Sequence, residues 1–329
     1  MKHIAIIGLG GTIAMMKDDT GYATPSLNLS QILEESGIHI NKGVIIHLVN
    51  LSNVPGVNIS FQLLLELAEK IKELEKDRIN GVIVTQGTDT LEETSYFIDL
   101  ILDNSIPVVF TGAQRNPSLP GSDSAMNISD SLTVAMDDRA AEYGALVVFN
   151  SEIHLAREVI KTHTSKIDTF KSFEFGPVGI VVENKAYWHR ERLSIDEVFA
   201  IKKEISSVEI VSLNLFSKGN YIDMLIEHNI EGLIVQSMGA GHVPEECILS
   251  LKKAVDKQLP VVVTSKCLSG KLFTNTYGFK GSEKDLRDIG VIYSDWLSTL
   301  KARIKLIVML SSGLNCEKIK ANFEKNFYI

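Results

Sequence analysis

A chain of 329 residues with a 45% apolar share can bury a large core without disulfides, and its length suggests two domains. Its 33 basic and 41 acidic side chains leave a formal charge of −8, which argues against nonspecific nucleic-acid binding, since that requires a basic face. The cysteines (Cys247, Cys267 and Cys316) are odd in number and lack metal-ligand spacing, so they read as inert thiols in a reducing compartment rather than a disulfide framework or a zinc site.

The first half alternates strand and helix. Residues 4–7, 44–49, 81–85, 107–111 and 145–149 are short, continuous apolar runs, the pattern of strands covered on both faces. From Ser60, the residues Phe61, Leu64, Leu65, Ala68, Ile71 and Leu74 recur at helical spacing, with Ser60 or Asn58 as the cap. Further helices are expected over 91–102 and about 122–140. Residues 150–183 break this rhythm and read as a hairpin-like excursion, and the polar stretch 191–206 reads as a linker. Beyond it, strands are expected over 208–213, 232–236 and 260–264, with helices over 245–255 and 298–310. The expected fold is α/β: a larger N-terminal doubly wound, mostly parallel sheet domain (1–190) and a smaller C-terminal α/β domain (207–329). The first strand starts too early to leave room for a cleavable leader, and no stretch is apolar for long enough to span a bilayer. A cytoplasmic protein without membrane or nucleic-acid partners is expected.

Two turns carry the chemistry. Gly10-Gly11-Thr12-Ile13-Ala14 closes the first apolar run, and Thr85-Gln86-Gly87-Thr88-Asp89-Thr90 closes the third. Each sets a threonine hydroxyl just past a buried strand, in a turn whose glycines let other groups approach. On one parallel sheet the two turns face a common crevice, an arrangement for attack on an acyl carbon. A dinucleotide site would need glycine where Ile13 stands and an acid where Asn50 ends the second strand, and there is no Walker A sequence, so no cofactor is expected. Taken alone, a glycine pair after a strand is only a tight turn.

Together, Gly11-Thr12-Ile13-Ala14 and the ten residues from Thr85 to Thr94 resemble the two signature motifs of the L-asparaginase/glutaminase amidohydrolases, of the cytoplasmic, type I-like kind. Gly112-Ala113-Gln114-Arg115, Arg157 to Thr162, Phe170-Lys171-Ser172, Gly176-Pro177 and Gly239 to Pro244 follow in that family's order. The resemblance implies that Thr12 is the nucleophile and that Tyr22, on a mobile lid, relays its proton. It implies that Thr88, Lys161 and Asp89 form a second constellation, with Asp89 holding the substrate's α-ammonium group. A threonine hydroxyl attacks only when a base takes its proton, so Lys161 is expected to be desolvated and bonded to Thr88. Outside these motifs, Tyr22 would read as a loop aromatic and Lys161 as a solvated charge.

Further substrate contacts fall on Gly87, on Ala113 as a backbone oxyanion donor, and on His242, for which a structural bond within its loop is an equal reading. Tyr277 and Lys271 are weaker candidates for a contribution from a neighbouring copy. The resemblance also implies a homodimer or homotetramer with sites between the copies. The pattern departs in places: Leu9 replaces a threonine, and Ser124-Ala125 replaces a Gly-Pro ahead of Asn127. Where the family places a serine, a polar residue and an acid around the substrate's carboxylate and amine, this chain has Gly56, Val57 and Asn58. The expected reaction is hydrolysis of the side-chain amide of asparagine, glutamine or a related amide. A modified or larger amide, or amino-acid binding without turnover, are the alternatives.

Overall fold

The computed structural model describes residues 1–11, 13, 15–17, 23–25, 29–31, 43–117, 119–192 and 198–325, and these form two compact units, Met1–Val198 and Phe199–Ile329. The proposed linker, 191–206, straddles that division.

The first unit opens with β1 (Lys2–Gly8), the ribbon of β2 (Met15–Lys17) and β3 (Ala23–Pro25), and β4 (Val44–Asn50). Helix α1 (Phe61–Lys76), β5 (Gly81–Thr85), α2 (Leu91–Ile101), β6 (Val108–Thr111), α3 (Ser124–Ala135) and β7 (Ala145–Phe149) follow. Then come β8 (Glu152–Leu155), β9 (Ile160–Lys161), β10 (Phe170–Lys171), β11 (Gly179–Val182) and β12 (Lys185–Trp188).

Eight strands make one mixed sheet in the order β12-β11-β8-β7-β6-β5-β1-β4. The run from β4 to β7 is parallel, and β8, β11 and β12 extend it antiparallel. β5, β6 and β7 are buried at every position, as their unbroken apolar sequences require of a sheet covered on both faces. β4 reads from sequence as equally covered but is an edge strand, with Ile45 39% and Leu48 37% exposed. The excursion over 150–183 is larger than a hairpin: it supplies β8, the separate ribbon β9–β10, and β11.

Helix α1 starts where the Ser60 hydroxyl accepts a bond from Leu63 N at 3.1 Å, and it buries Leu64, Leu67, Ala68 and Ile71. Helix α3 is shorter than the sequence suggests. It ends at Ala135, and Asp137 accepts from Arg139 N at 3.0 Å, opening a 3-10 turn in place of another helical turn. Ile128 and Leu132 of α3 pack on Ile4, Ile83, Val109 and Leu146 of the sheet.

The second unit holds β13 (Val208–Ser212), α4 (Asn220–Glu227), β14 (Gly232–Ser237), α5 (Ile248–Asp256), β15 (Val261–Ser265), α6 (Glu283–Ile289), β16 (Ile292–Tyr293), α7 (Thr299–Ser311) and α8 (Cys316–Phe323). Its four strands are parallel in the order β13-β14-β15-β16. Val211, Leu233, Val235 and Val263 meet Ile222, Leu251 and Leu286 in a core of its own. The sequence does not announce α4, α6 and α8, which span eight, seven and eight residues. A helix of two turns shows too little of its apolar stripe for a period to be read. Among the described residues, no helix is long and apolar enough to cross a membrane.

Candidate active site

The C-terminal ends of β1, β5 and β6 carry three turns that are stitched together by main chain. Leu9 N donates to Thr85 O at 2.9 Å, and Gln86 N donates to Thr111 O at 3.1 Å. Gly10 and Gly11 have φ of 107° and 87°, the left-handed region that glycine alone enters freely. A Cβ on Gly11 would lie 2.1 Å from Gly87 N, so the first two turns are in backbone contact. A Cβ on Gly112 would lie 2.5 Å from Gln86 O, which sets the third turn against the second. Thr12 and Tyr22 lie outside the described residues. Leu9, which replaces a threonine, is completely buried and packs as core.

The second turn winds a 3-10 helix over Thr88–Thr90 and continues into α2. Thr88 is 6% exposed, and its hydroxyl lies 2.9 Å from Lys161 Nζ. The same Nζ lies 2.6 Å from Asp89 Oδ1, with the lysine side chain 13% and the aspartate 65% exposed. Lys161 lies more than seventy positions beyond Thr88 and Asp89 in the sequence; the fold makes the three one cluster of hydroxyl, amine and carboxylate. Asp89 faces solvent over most of its surface while holding the lysine, so its carboxylate is open to a second cation.

Gly56 is buried, and a Cβ there would stand 3.1 Å from Gly87 O; its own carbonyl accepts from Thr90 Oγ1 at 2.9 Å. The loop after β4 is therefore fastened to the second turn through Gly56. Val57 and Asn58 are exposed, Val57 by 66%.

Ala113 is 1% exposed in the third turn. That turn is clamped by two side chains whose part the sequence did not reveal. Asp123 accepts from Gln114 N and Arg115 N at 3.0 and 2.9 Å. Asn127 donates to Gly112 O at 3.0 Å and accepts from Asn150 N at 3.0 Å. The Ser124 departure joins this clamp at one remove: its hydroxyl lies 2.6 Å from Ser122 Oγ, which donates to Arg115 O at 3.0 Å.

His242, in the second unit, lies 22% exposed with Nε2 3.2 Å from Glu283 Oε2, and Tyr277 and Phe279 stand edge-on to its ring, each with centroids 5.1 Å away. Burial opposes ionisation of Glu283, but N–H groups of Tyr277 and Thr276 and the His242 ring outweigh it and hold the carboxyl below its usual range. The bond between His242 and Glu283 ties the loop of His242 to the first residue of α6. Lys271 pairs with Asp295 at 3.1 Å. Among the described residues, no group of three or more histidines, cysteines and acids could hold a metal ion.

The cluster can polarise a hydroxyl through an amine and bind a cationic group beside it. Comparison with known proteins gives that chemistry a context. Residues 3–194 match the family model described as asparaginase, N-terminal, and residues 207–323 match that of the glutaminase/asparaginase C-terminal domain. The chain is 35% identical over 313 residues to an L-asparaginase of Bacillus licheniformis, covering 94% of this chain and 96% of that one. It is 28% identical over 341 residues to a component of the glutamyl-tRNA(Gln) amidotransferase of Methanobrevibacter smithii, covering 99% of this chain and 76% of that component. A crystal structure described as a probable cytoplasmic L-asparaginase from Campylobacter jejuni matches with a TM-score of 0.89 and 30% identity, covering 99% of this chain and all of that one.

Proposed function

The chain belongs to the asparaginase family, whose members named L-asparaginase are amide hydrolases, and on that premise we propose that it hydrolyses the side-chain amide of L-asparagine to the acid and ammonia. The observation that carries this reading is the contact of Lys161 Nζ with both Thr88 Oγ1 and Asp89 Oδ1.

In the proposed reaction the Thr12 hydroxyl attacks the amide carbon, and its proton passes by way of Tyr22. The C–N bond breaks, the nitrogen leaves as ammonia after taking a proton, and a β-acyl ester remains on Thr12. Water attacks that ester beside Thr88 and Lys161, the ester C–O bond breaks, and a proton from the water passes to the departing Thr12 oxygen, releasing the acid and restoring the hydroxyl. Asp89 binds the substrate's α-ammonium, and fixing that end sets the attack distance, from which much of the rate comes. The buried N–H of Ala113 is the proposed donor to the oxyanion. Gly87 and Gly56 shape the floor, and Val57 and Asn58 border it. His242, borne on the second unit, completes the site of a neighbouring copy in a homodimer or homotetramer. The proposed location is the cytoplasm, the setting named for the Campylobacter jejuni protein.

Gly56 and Val57 favour a second reading of the substrate. Neither offers the hydroxyl or amide that would grip a free α-carboxylate, and losing a partner for a buried ligand group costs about 1–3 kcal/mol. An amide whose carboxylate is blocked or displaced escapes that cost. The Methanobrevibacter smithii relative, which is named as part of an amidotransferase rather than as an asparaginase, supports keeping this class in view. The test is ammonia release from asparagine, glutamine and carboxylate-modified asparagine, run beside Thr12→Val. Release abolished by that substitution supports the reading. No release from any of them, or full activity in the variant, overturns it. Faster turnover of the modified amide selects the second substrate class.

A further inference from the structure

Among the described residues, Lys161 lies on β9, a two-residue strand paired with the two residues of β10 and part of neither larger sheet. So short a ribbon has little stability of its own in water. Phe170 of β10 fixes one side of it, packing on Phe149 of β7 with centroids 4.8 Å apart. On the other side, the backbone N–H of Lys161 donates to Glu92 Oε1 at 3.2 Å. Glu92 is 4% exposed and belongs to the first turn of α2, three residues beyond Asp89. Lys161 is thus held to one helical turn twice: by its amine to Thr88 and Asp89, and by its main chain to Glu92.

Resting on the amidohydrolase reading above, we propose that Glu92 is a positioning residue for Lys161, fixing the lysine's main chain so that its amine reaches the Thr88 hydroxyl. The bond to Thr88 alone does not define where the amine sits, because a lysine stem has four rotatable bonds, and the ribbon's own bond beside it, from Thr162 N to Thr169 O at 2.8 Å, leaves the Lys161 N–H to Glu92. Anchoring the main chain fixes the base from which that stem reaches. Displacement of about 1 Å at a reacting group costs about a hundredfold in rate.

Three forms of the full-length chain test this: the parent, Glu92→Ala, which removes the acceptor, and Glu92→Gln, which keeps a carbonyl oxygen in the same place. Steady-state ammonia release is measured with amide hydrogen exchange at Lys161 by NMR. The expected result for Glu92→Ala is a kcat lower by about ten- to a hundredfold, a KM within about twofold, and an accelerated Lys161 exchange. Glu92→Gln is expected to recover most of both losses. An active parent whose Glu92→Ala variant keeps its kcat, or keeps slow exchange at Lys161, overturns the proposal and leaves the amidohydrolase reading standing. A Glu92→Gln variant as impaired as Glu92→Ala also overturns it, since the charge rather than the accepted bond would then matter. A parent that hydrolyses no amide overturns both readings.

Discussion

At the scale of single residues, the strongest observation is the 2.9 Å contact between Lys161 Nζ and Thr88 Oγ1, because each partner is costly to place where it is. A lysine that is 13% exposed has given up most of its hydration, and the hydroxyl and the Asp89 carboxylate take its place. Thr88→Val keeps the volume and removes the hydroxyl; Lys161→Met keeps the stem and removes the amine. Each is expected to lower kcat by about a hundredfold or more without unfolding the protein, measured by ammonia release beside thermal melting. A second residue-scale prediction concerns pH. The carboxyl of Glu152 is held at about 2 by His154 beside it and by Lys171 Nζ at 2.9 Å, against the opposing effect of burial. The unfolded value of a glutamate is about 4.3, so the folded carboxyl is depressed. Its contribution to stability is complete above about pH 4.3 and drains as pH falls toward 2. Glu152→Gln is expected to flatten that part of a plot of Tm against pH; an unchanged slope would mean that the contacts of Glu152 carry no linkage.

At the scale of elements, the site depends on how closely three strand-to-helix turns approach. Gly11 has φ of 87° and would place a Cβ 2.1 Å from Gly87 N, so Gly11→Ala meets both a backbone penalty and a main-chain clash that no rotamer change can relieve. The expected loss is about 2–4 kcal/mol, seen as a lower midpoint in urea together with loss of turnover. An alanine variant of parental stability would show that the turns can part without cost. The two motif turns were legible because each pairs an unbroken apolar run with glycines in fixed order. The edge character of β4 was not, since its seven residues read like those of a covered strand, whereas among the described residues it stands last in the sheet order with Ile45 and Leu48 exposed. The clamp on the third turn was hidden for a related reason: Asp123 and Asn127 are ordinary polar residues near a helix start until Gly112 and Gln114 are brought against them.

At the scale of the whole molecule, each unit has a sheet and a buried core of its own, with the second built around Val211, Leu233 and Val263. The hydroxyl, amine and acid described above all belong to the first unit, while His242 belongs to the second. If that histidine serves a neighbouring copy, the chain must self-associate. Sedimentation equilibrium is expected to give a mass at least twice the 36.3 kDa of one chain. A monomer that retains full turnover would remove His242 from the proposed site.

The alternation of β-branched runs with helical periods determined an α/β fold in two parts, because burial on both faces and on one face leaves different spacings in the chain. The order of the motifs determined the family. What sequence could not supply was distance. Lys161 and Thr88 meet only because a two-residue ribbon folds back on the helix that follows β5, and Glu92 reaches the lysine for the same reason. Such contacts between remote segments come from packing, which no local pattern of residues records.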